Sequence, residues 1–249
     1  MKLGKLPPRH DVRTLQFAKY VRMEALPPIP VAWDWTKAAS PQFGMMGNDT
    51  VGDCTFAAAG HAVQIWTANA AKEITIPDKS ILAAYSAVSG YTPGDPGSDQ
   101  GANMLDVLNF WRTRGVGGHK IYAYMAVDPK NLAHTWAATY LFGGCYEGLA
   151  LPLSAQTQKV WDVPKGGARG QGKAGTWGGH AVWLAAYLAG YAEYITWGET
   201  MQATTRFITT YGDERYAVLT REWIVRATQR SPHGFDFAAL AADLKAVAA

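Results

Sequence analysis

The chain has 249 residues, 48% of them apolar and 17% charged, with 23 lysines and arginines against 20 aspartates and glutamates. A core of that size buries about 70% of the unfolded surface, which excludes disorder as the main state. The net charge of +3 is small and scattered and argues against nucleic acid as a partner, and two cysteines, Cys54 and Cys145, do not make a secreted disulfide scaffold.

Pro7 and Pro8 interrupt the start before any apolar run, so no signal peptide is read there. No stretch is apolar over about 18 residues, so no membrane partner is expected. A soluble protein of the cytoplasm, or of a particle assembled there, is the expectation. Residues 1–30 read as an N-terminal arm and 31–249 as one globular domain. Prolines at 7, 8, 27, 28 and 30 hold their neighbours extended, and a short helix is expected between them over 12–23. Leu15, Phe17, Tyr20, Leu26 and Ile29 are too apolar to hang in water and should strap the arm to the body.

From Asp53 the pattern turns helical. Phe56, Ala59, Gly60, Val63, Trp66 and Ala70 recur at helical spacing to about Lys72, with Asp53 as N-cap. Further helices are predicted over 80–88, 103–114 and 131–141, with a Gly/Pro/Asp loop at 90–101. The texture then changes. Strands are predicted over 144–152, 181–188, 193–197 and 215–219, with a glycine-rich loop at 166–179 and a helix over 200–211. Asp236 is placed to cap an alanine-rich terminal helix. A helical first half and a strand-rich second half make a two-lobed α+β protein.

Several motifs carry nothing. Gly170 to Gly175 matches GxGxxG in letters, but glycines precede it and a strand follows, so it is a loop and no nucleotide cofactor is expected. Asn48-Asp49-Thr50 is a chance sequon. The six histidines hold no HExxH pair and no CxxC accompanies them, so no metal site is expected.

Cys54 stands apart because it opens a predicted helix, where free N–H groups and the helix dipole favour a thiolate. His61 lies seven residues along the same helix, roughly 10 Å away, and is no partner for it. His180, after Gly178-Gly179 and at the start of a strand, is the candidate base. Cys145, between glycines and alternating apolar residues, should be a buried, unpaired strand residue.

Three blocks in sequence order resemble the papain-like cysteine peptidases, in a bacterial or bacteriophage type. They are Gly47 to Ala57 (GNDTVGDCTFA), Gly178 to Val182 (GGHAV) and Thr196 to Gly198 (TWG). His180 follows Cys54 by 126 residues, against about 130–150 in that family. Leu6 to Arg13 and Val31 to Trp35 are similar to the arm and mature start of bacterial members, and the family's pro-segment implies that part of the arm lies near the cleft. The resemblance covers roughly residues 30–200 and implies a papain-like fold with a helical N-terminal and a strand-rich C-terminal lobe. It implies Cys54 as nucleophile and His180 as general base and acid. Asn48 falls at the oxyanion-hole amide, and Trp197 shields the histidine. The family's disulfide cysteine is Val51 here. The family's histidine-orienting Asn falls on Ile195, and Thr196 is the neighbouring hydroxyl that alternation points away. An Asn at 195 is therefore expected to raise any hydrolytic rate or the thiolate fraction of Cys54; the alternative is that Glu193 or Glu199 already orients the ring, in which case the change is neutral or harmful.

The function implied is a cysteine peptidase or related amide hydrolase using a Cys-His dyad, of phage or prophage origin, with a peptide or protein substrate. The alternative is a weak or inactive structural or binding protein of a phage particle, whose partners are phage structural proteins. The expected place is the bacterial host cytoplasm or the virion.

Overall fold

The computed structural model describes residues 1–70, 72–220 and 238–242. Its centre is helix α1, Cys54–Asn69, buried on every side from Cys54 to Trp66. Small residues (Ala57, Ala58, Ala59, Gly60, Ala62) let neighbours approach that closely. A Cβ on Gly60 would stand 2.3 Å from Met46 Sδ. Helices α2 (Asp78–Ser89) and α3 (Met104–Thr113) pack beside it. The Asn103 side chain accepts from Leu105 N–H to start α3, and Asn131 accepts from His134 N–H to start α4, Leu132–Phe142.

The sheet is antiparallel. It contains β1 (Trp33–Asp34), β2 (Ala123–Ala126), β3 (Cys145–Leu151), β4 (Gly178–Leu188), β5 (Tyr191–Thr196), β6 (Glu199–Thr204) and β7 (Gly212–Leu219). Their order is β2-β7-β3-β4-β5-β6, with β1 also pairing to β4. Alternation along β4 makes the sheet a partition between two cores. Ala181, Trp183 and Ala185 join the core around α1, α2 and α3, while Val182 and Leu184 join a second core with α4 and α5 (Thr205–Tyr211). Trp66 of α1 meets Trp183 edge to face at 5.2 Å.

The helices and strands lie close to where the periodicity places them, with three differences. Residues 12–23 form no α-helix, only short turns at Phe17–Lys19 and Met23–Ala25. Extended chain there lets Leu15 C=O accept from Ala126 N–H at 2.7 Å. Phe17, Tyr20 and Leu26 enter the second core, and Leu15 and Ile29 pack against it. Residues 199–204 are strand rather than helix. Trp197 (φ 49°) and Gly198 (φ 78°) turn the chain back so that β6 pairs with β5, and only then does the Thr204 hydroxyl cap α5 by accepting from Phe207 N–H. Strands β1 and β2 lie where the periodicity predicts none. Asp236 lies outside the described residues; 238–242 are helical, with Leu240 buried. No helix among the described residues is long and apolar enough to cross a membrane.

Candidate active site

Cys54 is the first residue of α1, and its sulfur accepts from Ala181 N–H at 3.5 Å. That contact sets the helix end against the residue that follows His180. The helix terminus does not favour a thiolate in this state. Burial pushes the Cys54 thiol up to about 11, and the backbone N–H groups of Ala181 and Gly4 only partly oppose it. Desolvation outweighs the field of the helix end because the sulfur is covered by chain. Asp53 occupies the N-cap position without a side-chain capping bond. Its carboxyl is buried and pushed up to about 8 by that burial. Asn48 stands close enough to oppose the shift, but no hydrogen bond to either oxygen closes.

His180 Nε2 and Thr196 Oγ1 are 2.6 Å apart. The imidazole lies flat on the Trp197 indole, with ring centroids 4.3 Å apart and planes 14° from parallel. Nδ1 has no hydrogen-bond partner among the described residues. Burial pushes the ring down to about 3, and His61 adds to the effect, so His180 is neutral here. Thr196, not Ile195, faces the ring. The pleat sends Ile195 into the α1 core with Ala181 and Trp183, whereas Tyr194 lies in the second core, on the side His180 shares by alternation with Val182 and Leu184. Thr196 follows Tyr194 in alternation, so the hydroxyl expected to point away is the one that reaches the ring.

Asn48 is buried, and its Nδ2 donates to Val51 C=O at 3.0 Å. His61 Nε2 lies 3.1 Å from Gly44 C=O. Cys145 is a free, buried thiol on β3 that receives the Thr139 hydroxyl at 3.6 Å.

Residues 2–6 thread between the two lobes across this site. Gly4 C=O accepts from Ala102 N–H at 2.8 Å, Lys5 N–H donates to Gly179 C=O at 3.1 Å, and Leu6 N–H donates to Ala102 C=O at 3.0 Å. Trp197 Nε1 donates to Lys2 C=O at 3.3 Å. A Cβ on Gly4 would stand 1.7 Å from Gly52 C=O. The Lys5 ammonium ends 3.0 Å from Asp213 and 3.1 Å from Glu214. The family resemblance lays part of the arm near the cleft but singles out none of Gly4, Lys5, Ala102, Asp213 and Glu214. The glycines at 4, 52, 101 and 179 were the available signal, since each leaves backbone open to another strand.

No family model and no curated protein matches the sequence. Solved structures do match its fold. Xylellain, a cysteine protease from Xylella fastidiosa, is 14% identical, with 88% of this chain and 96% of that one covered at a TM-score of 0.67. Procathepsin B S9 from Trypanosoma congolense is 10% identical, with 87% and 85% covered at 0.59. A Carica candamarcensis cysteine protease is 15% identical, with 77% and 99% covered at 0.54. With α1 bearing Cys54 against the β4 partition bearing His180, the chain has the papain-like fold.

Proposed function

We propose that the protein is a cysteine peptidase that cuts peptide bonds with Cys54 and His180 and is held latent here by its own residues 2–6. One observation carries the reading. A cysteine at a helix N-terminus touches the residue next to a histidine whose Nε2 is held by a hydroxyl, whose face is shielded by an indole, and whose Nδ1 has no partner among the described residues.

In the reaction the Cys54 thiol gives its proton to His180 Nδ1, and sulfur bonds to the substrate carbonyl carbon. The carbonyl oxygen takes the negative charge, with the Asn48 amide and Cys54 N–H as candidate donors. The C–N bond breaks, and the amine leaves with the proton from His180. Water then gives a proton to the same imidazole and bonds to the thioester carbon, the C–S bond breaks, the carboxylic acid product leaves, and the proton returns to sulfur to restore the thiol. Both partners are neutral while residues 2–6 exclude water. Withdrawal of that segment readmits solvent, lowers the desolvation that suppresses the ion pair, and exposes the carbonyl-binding side of Cys54.

The test uses the full chain with Gly4→Val to force the segment off. This variant should cleave denatured protein or peptide pools, and Cys54→Ser or His180→Ala added to it should abolish cleavage. A thiol-directed epoxide should label Cys54 far faster than Cys145. An uncovered, readily labelled chain that cleaves no peptide would refute the reading.

A further inference from the structure

Lys5 is a long cationic side chain held out of water beside the candidate nucleophile. Its side chain is 1% exposed, and the ammonium has two carboxylates within 3.1 Å, Asp213 Oδ2 and Glu214 Oε1, besides donating to Leu6 C=O. Glu214 is itself steadied by the Tyr216 hydroxyl at 2.9 Å. The wall opposite is glycine by necessity. A Cβ on Gly148 would lie 2.2 Å from Lys5 Cε, 2.7 Å from Glu214 Cγ and 2.9 Å from Asp213 Oδ1. The backbone that delivers this side chain is clasped from both sides, by Ala102 of one lobe and Gly179 of the other. Main-chain bonds of this kind take any extended peptide, and side-chain pockets along the strand supply the selectivity.

We infer that the pocket formed by Asp213, Glu214 and Gly148 is a selectivity pocket for a lysine or arginine side chain of a bound peptide, occupied in this state by the chain's own Lys5. Two carboxylates face one cavity, Glu214 buried and Asp213 still 24% exposed. They repel each other and Glu214 has lost most of its water, so a cation restores what burial removed, whereas an apolar side chain leaves both without a counter-charge. The pocket therefore rejects neutral residues more than it rewards fit. Which peptides the enzyme cuts rests on the peptidase reading; which side chain the pocket holds does not.

The first experiment uses the arm as its own ligand in the full chain, reading alkylation of Cys54 by iodoacetamide at pH 8.5 with Cys145 as the internal control. Lys5→Met should speed Cys54 alkylation at least tenfold, and so should Asp213→Asn with Glu214→Gln. Lys5→Met placed on the neutral pocket should slow it again. Unchanged alkylation in Lys5→Met would overturn the inference. The second experiment adds acetyl-Leu-Gly-Lys-Leu-amide, or the same peptide with norleucine for lysine, to the Lys5→Glu chain. Calorimetry should show the lysine peptide binding at least tenfold more tightly. Equal binding, or none, counts against the pocket. Lysine-selective binding with no peptide hydrolysis would sink the peptidase reading alone, and hydrolysis without lysine preference would sink the pocket alone.

Discussion

The hydroxyl of Thr196 meets His180 Nε2 at 2.6 Å, although the neighbouring Ile195 is the position where an orienting amide was expected. A neutral imidazole presents one N–H and one lone pair, and the partner on Nε2 decides which nitrogen is left for the sulfur. Thr196 receiving an Nε2–H leaves Nδ1 as the base. Thr196→Val should therefore lower kcat in an uncovered chain by roughly ten- to a hundredfold with little change in KM, and Thr196→Ser should restore most of it. Kinetics on the three chains with one peptide decide this. Equal loss in the serine variant would mean that the hydroxyl does not orient the ring.

Ile195→Asn, which the family resemblance recommends, is now expected to fail. Ile195 is fully buried on the α1 face of the sheet with Trp183 and Ala181. An amide there loses apolar packing and buries polar atoms without partners, a cost of about 2–5 kcal/mol. Urea denaturation should show that loss, with no gain in hydrolysis. A faster enzyme of undiminished stability would reverse the assignment of Thr196 as the partner.

Gly4 and Gly52 are packed backbone to backbone. The carbonyl of Gly52 cannot easily yield, because Gly52 N–H is itself tied to Asp99 at 2.8 Å. Any Cβ at position 4 meets that oxygen at 1.7 Å. Gly4→Ala should already release residues 2–6, seen as at least a tenfold rise in Cys54 alkylation and as earlier proteolytic trimming of the arm. The body should keep its fold, since Phe17, Tyr20 and Leu26 anchor the rest of the arm independently. Protection of Cys54 undiminished in Gly4→Ala would show that the segment does not cover it.

Asp53 gives a pH-dependent signature. Its folded carboxyl titrates near 8 against an ordinary value of 3.8, so the native state prefers the protonated form. Below the ordinary value both states are protonated and nothing is lost. As pH rises toward 8 the unfolded carboxyl ionises while the native one does not, and stability falls. Asp53→Asn mimics the protonated acid and removes that penalty. Relative to the parent chain it should gain on the order of 1 kcal/mol or more between pH 5 and pH 8. Guanidinium midpoints at both pH values test the sign, and a difference that does not depend on pH would place a charged Asp53 in the fold.

Periodicity and punctuation are local properties, and they were legible in the sequence. The run from Phe56 to Trp66 foretold α1, and Asn103 and Asn131 stood at the starts of two predicted helices, whereas Asp53, the expected N-cap, makes no capping bond. The order of Cys54, His180 and Trp197 pointed to neighbours in space, and Cys54 touches Ala181 while His180 stacks on Trp197. The tertiary structure alone decided what those residues face. Whether residue 195 or 196 meets His180 depends on how β5 pairs with β4, a pairing that carries an irregularity between Leu184 and Ala186. One residue of register moves a side chain to the other core. The course of residues 2–6 through the cleft, and the meeting of Lys5 with Asp213 and Glu214 from the far end of the chain, follow from the packing of two lobes. No local pattern encodes such contacts, because their energy appears only when distant surfaces close and exclude water.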